Sequence, residues 1–171
     1  MLLSNYCKLK AFADTTGYNY GSSNETTDIG LVDMSGASTP VFYLTGNSSL
    51  IRNATENFKL RTGLGAVIGS GTSAEDFFDY ALDSQLSLPL TTSITTGADG
   101  GKILTYINIA GINTTGSAIT ISEIGIYKPI VDSSSTLPTP KNVLLVRTLL
   151  DEPITVPANE TFNRLYTWVQ E

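Results

Sequence analysis

The residues with the greatest potential for chemistry lie in one short stretch, residues 61–82, with the sequence RTGLGAVIGSGTSAEDFFDYAL. Its glycines fit G-x-G-x-x-x-G, a loose version of the fingerprint that holds a dinucleotide pyrophosphate. That chemistry needs a strand, a tight turn and a helix in immediate succession. Residues 66–68, between the glycines, are instead typical of a strand, and no Lys follows a glycine as in a phosphate-binding loop. We therefore expect no cofactor here, and we interpret the stretch as a strand, a turn and a short helix.

The expected helix covers about 73–83 and lies over one end of the fold. Thr72 or Ser73 can cap its first turn, in which Glu75 and Asp76 suit the positive end of the helix dipole. Its apolar face consists of Phe77, Phe78, Ala81 and Leu82. Such a short helix needs packing against the rest of the protein to be stable.

Four carboxylates fall within this segment: Glu75, Asp76, Asp79 and Asp83. They have two interpretations, a calcium or glycosidase carboxylate site and an exposed helix face with capping acids. We favour the second because no D-x-D-x-D-G loop occurs in the chain. The chain has no histidine, so a Ser-His or Cys-His nucleophile pair is excluded. We expect no catalytic residue, no metal site and no cofactor, and hence a protein that is not an enzyme.

The composition limits the classes of partner. Charged residues make up 15% of the 171 residues, compared with about 25% in typical proteins, and the formal net charge is −6. No cluster of Lys or Arg provides the basic face that nucleic acid requires. No apolar run approaches the ~18 residues of a membrane span, and the first residues do not resemble a signal peptide. We interpret five Asn-x-Ser/Thr sequences as a result of composition; they begin at Asn24, Asn47, Asn53, Asn113 and Asn159.

Alternating apolar residues and Gly, Asn and Pro turns predict a mainly β protein, an antiparallel β-sandwich of jelly-roll or Ig-like type with one short helix and long loops. We expect a single domain over 1–171, with the main sandwich at 59–171. The predicted strands are 39–46, 57–68, 103–111, 118–127, 143–150, 153–157 and 161–169, and the predicted core residues are Ile107, Ile121, Ile124, Leu145 and Leu165.

Residues 1–58 are predicted to contain a first strand at 2–13 and a long polar loop at 14–38, with a short strand near 29–34. The loop is too apolar for a solvated linker and too polar for a second core. We therefore expect it to be an assembly arm that is ordered by contact with another copy or another protein and can be deleted without unfolding the sandwich. The residues expected to make this contact are Tyr18, Tyr20, Ile29, Leu31 and Met34. A closed homo-oligomer, either a ring or a trimer, is the expected assembly.

Two charges interrupt apolar strands. Glu123 lies where the parity of the apolar residues changes between Ile121 and Ile124, which predicts a β-bulge with one extra residue near 122–123. Arg147 lies within VLLVRTLL. If these charges are buried, each needs a partner, so we expect them to contact one another or backbone groups. The alternative is that both side chains extend into solvent.

The order of several motifs resembles a group of bacteriophage virion proteins. A Gly-x-Gly-Thr turn precedes an acidic D-Y-A-L segment, then an E-I-G strand, an R-T-x-L-x-x-P-I-T-V strand pair and an aromatic final strand. The matching residues are Gly69, Gly71, Thr72, Asp79, Tyr80, Ala81, Leu82, Glu123, Ile124, Gly125, Arg147, Pro153, Ile154 and Val156. The resemblance covers roughly 60–170 and implies a β-sandwich component of a phage particle on the head, neck or tail.

The functional hypothesis is a non-enzymatic virion structural protein that assembles with other virion proteins in the host cytoplasm. The alternative is a carbohydrate- or receptor-binding module of a fibre or baseplate, for which the candidate aromatic residues are Tyr18, Tyr20, Tyr43 and Trp168. Neither hypothesis involves nucleic acid or a membrane.

Overall fold

The computed structural model describes residues 1–15, 24–44, 64–99, 102–131 and 140–170. The described part of the chain contains one helix and nine strands. They are α1 (Ser4–Thr15), β1 (Asn24–Val32), β2 (Ser38–Leu44), β3 (Gly65–Gly69), β4 (Gln85–Leu86), β5 (Leu90–Asp99), β6 (Lys102–Ile112), β7 (Ile119–Val131), β8 (Pro140–Val156) and β9 (Thr161–Gln170).

The strands form three antiparallel sheets. Their orders are β4-β3-β7-β8, β5-β6-β9 and β1-β2. Buried side chains of the two larger sheets belong to one hydrophobic cluster, to which β3 and β7 contribute Ile68 and Ile124 and β6 contributes Ile107. Two antiparallel sheets with a shared core form a β-sandwich. The prediction of a mainly β, antiparallel fold is confirmed, and the jelly-roll or Ig-like type stays a prediction.

The other face of the four-stranded sheet carries a second, smaller cluster of Leu3, Leu82 and Leu144. It packs over Gly125 of β7, where an added Cβ would approach Leu144 and Val67 to 2.8 Å. Because successive residues of a strand alternate between faces, Gly125 faces away from the main cluster that holds Ile124. Both faces of this sheet are therefore covered, which explains why residues 121–126 are all buried.

The predicted strand at 2–13 is wrong, because residues 4–15 form helix α1. The buried residues Leu3, Tyr6 and Leu9 are three apart, which is helical spacing rather than strand alternation. The residues before the helix do pair with a strand, since Leu2 forms an antiparallel bridge with Val146 of β8. The short β pairing thus ends before the helix begins.

The predicted helix at 73–83 is also wrong, because this segment is irregular, with one turn at 77–78. The side chains that could cap a helix make other hydrogen bonds. The Ser73 hydroxyl accepts one from Arg147, and Asp76 Oδ1 accepts one from Phe78 N at 2.8 Å. Side-chain bonds of this kind compete with the helical backbone pattern.

The predicted long loop at 14–38 contains part of a β-hairpin. β1 pairs with β2, from Asn24 with Leu44 to Val32 with Ser38. Leu31 of β1 is fully buried in the main hydrophobic cluster. Deleting residues 14–38 would therefore remove Leu31 from the core, and residues 16–23 of the predicted arm lie outside the described residues.

Several other strand predictions change. The predicted strands 143–150 and 153–157 form one strand, β8, and the prediction did not include β5. The predicted irregularity near Ser122 is confirmed, but the extra residues lie on β8, where 150–153 are opposite Ser122 alone. This irregularity changes the parity of β7, so Ile121 and Ile124 both face the main cluster.

Four of the five predicted core residues, Ile107, Ile121, Ile124 and Leu145, are buried, whereas Leu165 is 58% exposed. In β9 it is Phe162 that is buried and joins the main cluster. The alternation of β9 was correctly recognised, but the wrong face was assigned to the core.

We expect Leu145→Ala to lower the free energy of unfolding by about 2–5 kcal/mol, because it leaves a cavity in a packed core. Leu165→Ala, with its exposed side chain, should change it by less than about 0.5 kcal/mol. Chemical denaturation of both variants measures the difference. Equal losses would contradict this assignment of the faces of β8 and β9.

Candidate functional site

Two buried charges of opposite sign meet where β7 and β8 pair. Arg147 Nε donates a hydrogen bond to Glu123 Oε2 at 2.9 Å. Arg147 is 2% exposed and Glu123 is fully buried. Because the two strands are buried, both side chains are shielded from water, and each buried charge needs the other as its counter-charge. The prediction that Glu123 and Arg147 approach one another at the strand irregularity is confirmed.

The rest of the Arg147 guanidinium binds the chain segment 70–84, which we call the 70–84 loop. Nη1 donates to Asp79 Oδ2 at 2.7 Å, and Nη2 donates to the carbonyl oxygen and the hydroxyl of Ser73 at 3.2 and 3.1 Å. A planar guanidinium has donors in fixed directions, so it sets both the position and the orientation of the loop. Arg147, Glu123 and Asp79 together are called the charge cluster below.

The Glu123 side chain binds backbone amides of the same loop. Its carboxylate accepts hydrogen bonds from Gly71 N at 3.1 Å, Asp83 N at 3.2 Å and Ser84 N at 2.9 Å. These amides belong to the two ends of the 70–84 loop, so one carboxylate closes the loop at its base. A carboxylate with several donors is well compensated for the loss of water.

Two glycines allow the backbone to come this close. A Cβ at Gly71 would lie 2.5 Å from Glu123 Oε1, and a Cβ at Gly69 would lie 2.7 Å from the carbonyl oxygen of Ser84. Neither separation is sterically possible, so the glycines are required by close approach rather than by a bound phosphate. Gly69 and Gly71 are therefore explained by their close approach to Glu123 and Ser84. Of the predicted strand 57–68, residues 65–68 belong to β3, and 57–63 lie outside the described residues.

The electrostatics of the charge cluster favour the ionised arginine. Burial by itself lowers the pKa of the Arg147 guanidinium, but the hydrogen bonds and charges of Asp79 and Glu123 outweigh burial and raise it. Arg147 is therefore held as a cation. It has no proton to transfer and acts as a fixed charge.

A neighbouring acid fastens the edge of β8. Glu75 Oε1 accepts a hydrogen bond from Leu149 N at 2.6 Å. Farther along the same strand, Arg147 N donates to the carbonyl oxygen of Met1 at 3.2 Å, and Leu3 N donates to that of Leu145 at 2.9 Å. Backbone groups along this stretch of β8 are thus bonded within the chain, which prevents this stretch from pairing with another strand.

A second buried acid, Asp33, holds the turn between β1 and β2. Its carboxylate accepts hydrogen bonds from Ser35 N at 2.9 Å and Ala37 N at 3.0 Å, and it forms an ion pair with Lys141 Nζ at 3.4 Å. Burial by itself raises the pKa of Asp33, but the hydrogen bonds from Ser35 and Ala37 and the Lys141 ammonium lower it to about 2. The hairpin is thereby tied to β8.

A buried amide, Asn113, joins the two larger sheets at one end. Its Nδ2 donates to the carbonyl oxygens of Ser117 at 2.7 Å and Val156 at 2.9 Å, and its backbone N donates to that of Glu160 at 2.9 Å. The connection β6–β7 is thus bonded to the connection β8–β9. Asn113 is fully buried, so its Asn-Thr-Thr sequence serves these bonds and cannot accept a glycan in the folded chain.

Of the five predicted interaction residues, the structure describes the side chains of two, Leu31 and Met34, so the predicted contact stays a prediction. Leu31 is fully buried, and Met34 is partly buried against the smaller hydrophobic cluster. Ile29 belongs to β1, but its side chain lies outside the described residues. Tyr18 and Tyr20 also lie outside them, as do the side chains of the candidate sugar-binding residues Tyr43 and Trp168.

The four carboxylates of the 70–84 loop have mainly internal uses. Asp79 and Glu75 are partly buried and bind Arg147 and Leu149, while Asp76 and Asp83 are exposed and accept hydrogen bonds from Phe78 N and Ser73 N. In the part of the chain that the structure describes, no group of three or more His, Cys, Asp or Glu residues is arranged to hold a metal ion. This part of the chain also contains no helix with the length and apolar character needed to span a membrane.

Sequence reasoning did not identify Asp33 and Asn113 as structural residues. Asp33 is followed by Ser35 and Gly36, which is a turn signal, and Asn113 precedes Thr115, whose amide and hydroxyl both donate to it. These local patterns indicate turns at Asp33 and Asn113. The bonds to Lys141 and Val156 are long-range and had no counterpart in the sequence.

Comparison with known proteins finds no matching family, no similar curated protein and no similar solved structure.

We expect Arg147→Met to lower the free energy of unfolding by about 3–5 kcal/mol, because Glu123 and Asp79 remain without their counter-charge. Arg164→Met is the matched control, since Arg164 is exposed, and should cost less than about 0.5 kcal/mol. In a double-mutant cycle, Arg147→Met with Glu123→Gln should cost less than the sum of the two single changes. Equal effects of Arg147→Met and Arg164→Met in chemical denaturation would contradict a stabilising role of the charge cluster.

Asp33 should contribute a pH-dependent part of the stability. Its pKa in the folded state is about 2, below the ordinary 3.8, so its stabilising effect is present above pH 3.8 and is lost as the pH falls toward 2. The shift corresponds to about 2 kcal/mol at neutral pH. We expect Asp33→Asn to be less stable than the wild type at pH 7 and to approach it near pH 2. Asp151→Asn, an exposed control, should follow the wild type, and a constant difference for Asp33→Asn would contradict the assignment.

Proposed function

We propose that this chain is a non-enzymatic structural protein of a bacteriophage particle, a capsid decoration, neck or tail component. It assembles in the host cytoplasm with other virion proteins as a ring or a trimer of identical copies. The proposal rests on the resemblance found in the sequence and on the way in which the structure uses the residues that carry it.

The observation that carries the proposal is that these residues meet in space. Gly69, Gly71, Asp79, Glu123 and Arg147 come from three separate parts of the chain, and all belong to or adjoin the charge cluster. Motifs that are individually weak therefore describe one physical arrangement. That arrangement holds a loop on a sheet, which is a use expected of a building block.

The chemistry of the charge cluster supports a structural role. Arg147 cannot give up its proton, and the Glu123 carboxylate binds Arg147 and three backbone amides. A general acid or base would need to reach a substrate with a proton to exchange. Glu123 is fully buried beneath the 70–84 loop and does not have that access in this structure.

The assembly arm proposed for residues 1–58 requires revision within this hypothesis. The β1–β2 hairpin shares the main core through Leu31 and is tied to β8 through Asp33 and Lys141. Contacts with other copies or other virion proteins must then use surfaces that remain exposed after this packing.

We expect the chain to remain with particles that are purified by density-gradient centrifugation from cells infected with the phage that encodes it. Quantitative mass spectrometry should give a copy number per particle that fits a closed ring or trimer. An abundant host protein, followed in the same gradient, is the control for trapped cytoplasm. A chain found entirely in the particle-free fraction would overturn the proposal.

A further inference from the structure

Aromatic side chains are exposed at the tip of the 70–84 loop. Phe78 is 71% exposed, Tyr80 44% and Phe77 42%. The rings of Phe77 and Phe78 are in edge-to-face contact, with centroids 5.1 Å apart. Phe is normally among the most buried residue types, and a cluster of exposed aromatic rings is typical of an interaction surface.

The backbone on either side of these rings is bonded in place. Before them, the Glu75 carboxylate accepts a hydrogen bond from Leu149 N at 2.6 Å, and after them Asp79 binds Arg147 at 2.7 Å. Between these points, the carbonyl oxygen of Phe77 accepts one from Ser4 N at 2.8 Å. The rings are therefore presented on an ordered support, which reduces the entropy lost when a partner binds.

The segment of chain that carries the rings is acidic. Residues 62–101 contain five acids and no Lys or Arg. Asp76 and Asp83 are exposed in the 70–84 loop. Among the described residues, two cations bind the loop: Arg147 is 2% exposed, and the Met1 ammonium is paired with Glu75 Oε2 at 3.2 Å, so neither neutralises Asp76 or Asp83. A partner therefore meets apolar rings within a field of negative charge.

We propose that Phe77, Phe78, Asp76 and Asp83 form a docking surface, here called the aromatic–acidic surface, for a different protein with an apolar pocket rimmed by Lys or Arg. The aromatic rings enter the pocket and supply most of the binding energy, as buried aromatic anchors do. The carboxylates face the basic rim and increase the association rate and specificity. This inference rests on the proposed function, in which the partner is another virion protein.

Charge selects this occupant over two others. A second copy of the chain carries the same net charge of −6, and a two-fold contact through this surface would place the same acids opposite one another. An anionic lipid surface would repel Asp76 and Asp83 in the same way. A cationic rim is the partner chemistry that attracts them.

The test uses the intact chain and a defined probe, a short amphipathic helical peptide of Leu and Lys with all Leu on one face. Fluorescence anisotropy should show binding that weakens as salt increases. Phe78→Ser should weaken it about tenfold or more, while Leu165→Ser, which changes another exposed apolar residue (58% exposed), should not. Asp76→Asn with Asp83→Asn should weaken binding and reduce its salt dependence. Both substitutions keep an amide oxygen for the hydrogen bonds from Phe78 N and Ser73 N.

Four results would overturn the inference. One is equal binding of a matched peptide of Leu and Glu, and another is an equal loss in Phe78→Ser and Leu165→Ser. A third is Phe78-dependent binding to vesicles of zwitterionic lipid, which would assign the surface to lipid. The fourth is self-association of the wild type in analytical ultracentrifugation that Phe78→Ser abolishes, which would make a second copy the occupant.

The peptide result and the particle result are independent. If the chain is absent from particles while peptide binding depends on Phe78, the proposed function fails and the docking surface stands. If the chain is in particles and Phe78→Ser both binds the peptide and enters particles normally, the docking surface fails alone. Thermal melting should show that Phe78→Ser is folded, because the side chain is 71% exposed.

Discussion

A carboxylate in the middle of a sheet must find its counter-charge and its hydrogen-bond donors inside the protein, and Glu123 finds them in separate parts of the chain. Arg147 supplies the charge from the next strand, while Gly71 and Ser84 supply amides from the two ends of one loop. Removing one partner from such a set leaves an uncompensated buried charge. Much of the surrounding structure follows from this requirement.

The loop is the first consequence. Residues 70–84 contain the capping residues, acids and apolar spacing of a short helix, yet they form an irregular loop because Ser73 and Asp79 bind Arg147. The glycines before the loop are the second consequence, since a side chain at Gly71 would collide with Glu123. The exposed position of Phe78 is the third, because the loop that carries it is held by the charge cluster and Glu75. The buried charge cluster thus determines that Phe78 is exposed on the surface.

Two kinds of chemistry hold the connections of the sandwich. At one end, Asn113 joins two connections through neutral hydrogen bonds from a buried amide. On the other face of the four-stranded sheet, ion pairs hold the 70–84 loop and the β1–β2 turn, through Arg147 and Asp33 respectively. The Asp33 contact depends on pH because its pKa is lowered to about 2, whereas the amide contacts of Asn113 have no titrating group.

Period-two alternation and turn residues were sufficient to predict the antiparallel fold, the strands β6, β7 and β9, and the burial of Leu145 and Ile124. Glu123 and Arg147 could be recognised as partners because charges in apolar strands need compensation. The helix at 4–15, the irregular loop at 73–83 and the outward face of Leu165 could not be predicted, because local patterns allow either outcome. The sequence by itself determined the antiparallel strands β6, β7 and β9 and which charges need partners. The tertiary structure alone decided which face of β9 is buried and where the loop acids bind, because burial and counter-charges come from residues distant along the chain.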